Sequence, residues 1–197
     1  SERRMRAEIS TFPDGKYTFI DKVEDDGIED KEYEIHVAVH VHRDEVIIDY
    51  SGSSPQAKGP INATLGVAWS AAFNAMLHLT DQSIPKNSGC FRPIRVIAPA
   101  GTIMNVDYPG SEVGGNTETH PLIVCAIFGA MANCVPQRVM ASEGTTHGCF
   151  VFGGHDKVTD EPFGGFDFSY VGSGGRSFAD GNDATDSING NCANTPM

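Results

Sequence analysis

The sequence predicts an α+β fold: antiparallel strands packed on two buried helices, followed by a glycine-rich region of irregular or β structure. Three observations carry that expectation. Ile35, Val37, Val39 and Val41 alternate with His36, Ala38, His40 and His42, the period of a strand with one buried face. Two segments, 63–79 and 121–134, are apolar almost all round, as helices enclosed between layers are. Half of the 22 glycines fall between Gly144 and Gly190. They are interleaved with Phe150, Phe152, Phe163, Phe166, Phe168 and Tyr170, which disfavours long helices there. The chain therefore divides into a core, 1–143, and a glycine-rich stretch, 144–197, that continues the same domain.

Taken in order, residues 1–9 read as the tail of a helix that breaks at the turn signal Pro13-Asp14-Gly15. A strand over 16–20 follows, then the acidic turn Glu24-Asp25-Asp26-Gly27. The alternating strand turns at Arg43-Asp44 into the run Val46-Ile47-Ile48-Asp49-Tyr50, so the pair reads as a β-hairpin. Asn62 is a suitable N-cap for the first apolar helix. The loop 84–96 is stiffened by Pro85 and Pro93 and carries Lys86, Asn87 and Arg92, a rigid polar corner of the kind on which binding groups are mounted. A short strand over 94–97 ends at Pro99-Ala100-Gly101. Pro121 and Pro136 bracket the second apolar helix. The stretch 180–187 is polar loop. The absence of an initiator methionine and the unclosed end Asn194-Thr195-Pro196-Met197 lead us to expect a piece of a longer polypeptide.

At 197 residues there is ample length for a core, and 40% hydrophobic with 20% charged residues is ordinary for a globular protein. A formal net charge of −12 argues against nucleic-acid binding. Cys90, Cys125, Cys134, Cys149 and Cys192 form no CxxC pair, which fits reduced thiols in a cytoplasmic protein. Neither a leader-like segment nor an apolar run long enough to span a membrane is present in these residues.

Three constellations could carry chemistry. His36, His40 and His42 share a strand face, with neighbouring positions ~6.5 Å apart, within reach of a metal; the same pattern describes the solvent side of a hairpin, and no carboxylate is expected in register. The loop Gly114-Gly115-Asn116-Thr117-Glu118-Thr119-His120 enters the second apolar helix. Thr117 or Thr119 would cap that helix, its free amides would face a negative group, and Glu118 and His120 would transfer protons. Ordinary capping is the competing reading. In Ser142-Glu143-Gly144-Thr145-Thr146-His147-Gly148-Cys149 the strand-elbow-helix setting of a nucleophile is missing, and Cys149 reads as a core thiol. Gly172-Ser173-Gly174-Gly175-Arg176 is not followed as a P-loop would be.

Several segments together resemble the hydantoinase B/5-oxoprolinase family in order and spacing. They are Pro13-Asp14-Gly15-Lys16-Tyr17, Ile48-Asp49-Tyr50-Ser51-Gly52-Ser53-Ser54, Gly59-Pro60-Ile61-Asn62, Ile84-Pro85-Lys86-Asn87-Ser88-Gly89, Arg92-Pro93-Ile94, Pro136-Gln137-Arg138-Val139-Met140-Ala141 and Asn194-Thr195-Pro196. The resemblance implies an inner part of a B-type subunit of an ATP-dependent cyclic-amide hydrolase, working in a hetero-oligomer with an A-type, nucleotide-binding subunit on a small-molecule substrate. The related acetone and acetophenone carboxylases share this core, and a purely structural assembly role is the further alternative. The resemblance also implies ATP and a divalent metal, both bound outside this segment, because the family's Gly-Thr-His-x-x-Asp metal motifs lie upstream of it. The site residues expected here are Glu118 and His120 for catalysis, with Asn87, Arg92, Asn116 and Thr117 for substrate.

Overall fold

A computed structural model describes residues 1–168 and 171–190. Helix α1 (Glu2–Ile9) is followed by strands β1 (Gly15–Val23), β2 (Tyr33–His42) and β3 (Glu45–Asp49). Helix α2 (Leu65–Leu79), the single-turn α3 (Ser88–Phe91) and strand β4 (Ile94–Ile97) come next. A π-helical turn (Gly115–Thr119) then runs into α4 (His120–Met131), and β5 (Cys149–His155) and β6 (Pro162–Phe168) close the order.

The period-two pattern does what hydrophobic burial requires of it. Ile35, Val37, Val39 and Val41 of β2 are buried, while the intervening side chains reach the outer face. Each buried aliphatic side chain is worth about 1.5–3 kcal/mol, so a slip of one residue would expose the whole set. The turn at Arg43-Asp44, with Arg43 at φ 56°, pairs Val39 with Ile48 and Val41 with Val46. The sheet order is β1-β2-β3-β4. Its first two pairings are antiparallel, but β4 lies parallel to β3, with Val46 opposite Ile94. A parallel neighbour needs a crossover, and α2 with α3 supplies it.

Helix α4 is enclosed as the sequence predicts: every residue except Gly129 is buried. It packs on β1 and β2, and α2 packs on it. Helix α2 differs from expectation. Ala68, Ala71, Ala72, Ala75, Met76 and Leu79 form its buried face, whereas Leu65 and Trp69 (46% exposed) point outward. Small residues on one side let α2 approach α4 closely, while on the other side Phe91 and the loop at Ile188 reach Phe73 and Asn74 but leave Leu65 and Trp69 open among the described residues.

Asn62 is not the N-cap of α2. Thr64 holds that place, its hydroxyl accepting from the Val67 amide. Cys149 also departs from expectation, being exposed, because the β5–β6 hairpin has no second layer over it among the described residues. Cys90, Cys125 and Cys134 are buried and free. Tyr170, Cys192 and Asn194-Thr195-Pro196 lie outside the described residues. Among those described, no helix is long and apolar enough to cross a membrane.

Candidate functional site

The site grows from one buried side chain. Asn62 is fully enclosed; its Nδ2 donates to the carbonyls of Ala57 (2.9 Å), Gly59 (3.1 Å) and Ser111 (2.7 Å). Its Oδ1 accepts from the Ala57 amide at 2.7 Å. A carboxamide can do this and a hydroxyl cannot, so Asn62 folds its own 57–62 loop and ties it to the loop at Ser111. Gly115 lies against the same knot: a Cβ there would stand 2.0 Å from the Asn62 carbonyl oxygen. Thr119, expected as a cap, is buried and donates its hydroxyl to the Ile61 carbonyl instead.

These contacts hold the π-helical turn in place, and the His120 amide closes it by donating to the Gly115 carbonyl. Turns of this kind are rare and recur at functional sites. The turn also leads directly into α4, so the His120 amide is bonded to the Gly115 carbonyl and is not left free as expected. A further consequence is that Glu118 and His120 face different cavities. Glu118 lines one of about 660 Å³ together with Asp21, Glu24, Asp25 and Thr146. His120 lines one of about 550 Å³ with Asn116, Asn74, Asn189, Phe73 and Phe91.

In the first cavity Asp26 is a structural pin. Its carboxylate accepts from the amides of Ile28 (2.9 Å), Glu29 (2.6 Å) and Gly59 (2.8 Å) and from the Tyr33 hydroxyl (2.9 Å). Those bonds, the Glu29 amide foremost, hold its pKa well below the usual carboxylate range.

The second cavity has the chemistry. His120 is 4% exposed and its Nδ1 has no hydrogen-bond partner. Burial, and secondarily the charge of His147, pushes its pKa down to about 4, so the imidazole is neutral near pH 7. A neutral imidazole offers one N–H and one lone pair. His147, 5% exposed, sits on the same side; its amide donates to the Thr117 carbonyl at 3.2 Å. The His147 Nε2 lies 2.7 Å from Asn189 Oδ1, and Asn189 Nδ2 donates to the Asn116 carbonyl at 2.8 Å. The His147 Nδ1 stands 3.3 Å from Asp186 Oδ1, an ion-pair separation whose alignment falls short of a hydrogen bond. Phe168 packs on the His147 ring at 4.9 Å. The loop bearing Asp186 and Asn189 is anchored where Glu143 accepts from the Ser187 hydroxyl (2.8 Å) and the Ile188 amide (2.7 Å). Asn74 Nδ2 also donates to the Ile188 carbonyl at 3.1 Å. Phe73 and Phe91 stack with centroids 4.3 Å apart and form the apolar wall.

Of the residues picked from sequence, Asn116 and His120 thus meet in one cavity, and Thr117 holds His147 through its carbonyl. Asn87 caps α3 and donates to the Ser1 hydroxyl (2.8 Å), while Arg92 pairs with Glu2 (3.0 Å), so both face α1. On the β2 face, His36 Nε2 lies 2.9 Å from Glu34 Oε2. A carboxylate does stand in register there, contrary to expectation, because period two puts residue 34 beside residue 36. Among the described residues no group of three His, Cys, Asp or Glu side chains is arranged to hold a metal. His147, Asn189, Asp186, Asn74 and the phenylalanine wall were not legible as one site. His147 and Asn189 are 42 residues apart, and no local spacing connects them.

The family model for hydantoinase B/oxoprolinase matches residues 1–197. A protein named as the B component of a D-/L-hydantoinase, from Pseudomonas sp. (strain NS671), is 32% identical over 208 residues, spanning 100% of this chain and 34% of that protein. The 5-oxoprolinase of Saccharomyces cerevisiae is 26% identical over 179 residues, 89% of this chain and 13% of the enzyme. The crystal structure of the ATP-dependent caprolactamase from Pseudomonas jessenii superposes with a TM-score of 0.82 at 25% identity, covering 95% of this chain and 33% of that one. An acetone carboxylase structure shares the fold, with a TM-score of 0.79 at 18% identity over 95% of this chain and 28% of its own. The chain spans about a third of the hydantoinase component's length. Fold, matched span and ordered motifs agree: this chain belongs to the hydantoinase B/oxoprolinase family.

Proposed function

We propose that this chain is an inner portion of the B-type subunit of an ATP-dependent cyclic-amide hydrolase that works with an A-type nucleotide-binding partner. The observation that supports the reading is the buried, neutral imidazole of His120 in the wall of a cavity of about 550 Å³, within a family that includes cyclic-amide hydrolases. A ring amide holds its N–H and C=O on the same side, an adjacent donor and acceptor. His120 meets one of them, and the exposed Asn116 carboxamide at the rim meets the other. With a pKa near 4, His120 is a poor proton acceptor at neutral pH and acts first as an orienting hydrogen-bond partner. The Phe73–Phe91 wall takes the ring's apolar face. His147, Asn189 and Asp186 position the lining loop. Glu118 faces the other cavity, and Asn87 and Arg92 are held by α1; the reading gives these three no contact with substrate. ATP and the divalent metal belong to the partner and to parts of the subunit outside this segment.

The test is reconstitution. The full B-type subunit containing this chain, mixed with its A-type partner, ATP and Mg2+, should open a ring amide, and either one alone should not. In the assembled enzyme His120→Ala should lower kcat/KM by about 100-fold, about 2.7 kcal/mol of transition-state stabilisation. Asn87→Ala and Glu118→Ala should leave it within about threefold. Turnover without the partner would refute the dependence, and His120→Ala with unchanged kcat/KM would favour a structural role for the segment.

A further inference from the structure

The π-helical turn contains two carbonyls that Pro121 cannot serve. In such a turn a carbonyl looks to the amide five residues on, and for Asn116 that residue is Pro121, which has no N–H. For Thr117 the residue four positions on, its α-helical partner, is again Pro121. Both carbonyls are met from elsewhere in the chain. The Thr117 carbonyl accepts from the His147 amide at 3.2 Å, and the Asn116 carbonyl from Asn189 Nδ2 at 2.8 Å. Asn189 Oδ1 in turn lies 2.7 Å from the His147 Nε2. His147, only 5% exposed, thus grips two successive carbonyls within a turn of His120, one through its backbone and one through its side chain.

The proton on the ring follows from those contacts. A backbone carbonyl only accepts, so the Asn189 atom facing Asn116 is its NH2 and the atom facing His147 is its oxygen. A carboxamide oxygen also only accepts, so the His147 Nε2 carries a hydrogen. The other ring nitrogen, Nδ1, lies 3.3 Å from Asp186 Oδ1, which accepts from the Ser187 amide at 2.9 Å. A ring turned over would set carbon against both Asn189 and Asp186. His147 and Asp186 are both buried within this chain, so the arrangement is sealed by the chain itself. We propose that His147 is a positioning residue: by donating from Nε2 to Asn189 it holds the π-helical turn in the register that puts Asn116 and His120 on the cavity wall. The kinetic consequence rests on the cyclic-amide reading above, and the structural one on geometry alone.

Glutamine can set its NH2 where the His147 Nε2 stands, whereas asparagine, one methylene shorter, reaches only the place of Nδ1. In the reconstituted two-subunit enzyme His147→Asn should lower kcat/KM by about 30-fold or more, and His147→Gln should bring it back to within about fivefold of the parent. Asn189→Asp keeps an oxygen for His147 but sets a second oxygen against the Asn116 carbonyl, so it should lose about as much as His147→Asn. It carries the kinetic comparison if His147→Asn does not assemble. A crystal structure of the Asn189→Asp enzyme should show the Asn116 carbonyl turned away from residue 189 and the His120 ring displaced by about 1 Å or more. The proposal is overturned if His147→Gln is as impaired as His147→Asn, if Asn189→Asp keeps full kcat/KM, or if His120 has not moved in its crystals. Should the parent enzyme open no ring amide, the cyclic-amide reading fails by itself, and the position of His120 in the Asn189→Asp crystals decides the role of His147.

Discussion

At the level of single residues, two polar side chains govern the account. Asn62 makes four hydrogen bonds in a dry setting. Asn62→Ala strands three carbonyls and an amide and should cost about 2–4 kcal/mol, read as a lower urea midpoint at constant m value. His120 links stability to pH. Its imidazole titrates near the ordinary 6.5 when unfolded and near about 4 when folded. Between those values the unfolded chain holds a proton that the folded chain does not. Stability therefore falls as pH drops from about 6.5 towards 4, by on the order of 2–3 kcal/mol, and His120 contributes no slope above that window. His120→Gln should flatten this part of the profile in urea titrations at pH 7, 5.5 and 4.5. Sequence alone marks His120 through its polar, glycine-rich surroundings. It does not mark Asn62 as a knot, because an asparagine just before an apolar run reads equally as a cap. Only the convergence of distant carbonyls on its carboxamide distinguishes the two.

At the level of elements, periodicity carries most of the information. The β2–β3 hairpin and the enclosed α4 follow from it directly, since burial of one face or of a whole helix leaves a residue pattern. Two features leave none. The parallel pairing of β4 with β3 depends on a crossover, and the π-helical turn before α4 depends on the close approach of Gly115 to Asn62. Gly115→Ala forces its Cβ into a backbone carbonyl and should destabilise by about 2–3 kcal/mol while disturbing the cavity that His120 lines. Helix α2 tests the difference between composition and burial. Ala72, fully buried against the core, should tolerate Leu poorly, at about 1–3 kcal/mol, whereas Trp69→Ser on the open face should change stability by no more than about 0.5 kcal/mol. Thermal or urea unfolding of the two variants side by side checks both.

At the level of the whole molecule, the sheet, α4 and α2 form a stack in which Leu65 and Trp69 of the outer helix and the β5–β6 hairpin remain open among the described residues. The chain spans about a third of its hydantoinase relative, which fits a segment that works inside a larger body. The ordered motifs announce the family without coordinates. The cavity does not announce itself, because its lining comes from α2, α3, the π-helical turn, the first residue of α4 and the loop bearing Asn189, five pieces that only folding brings together. The central claim is that a ring amide sits beside His120. Anomalous scattering from 5-(4-bromobenzyl)hydantoin bound to the crystallised two-subunit enzyme addresses it directly. The bromine peak should fall against Phe73 and Phe91, with the hydantoin ring within hydrogen-bond distance of His120. A peak outside this cavity, with the cavity empty, would contradict the claim.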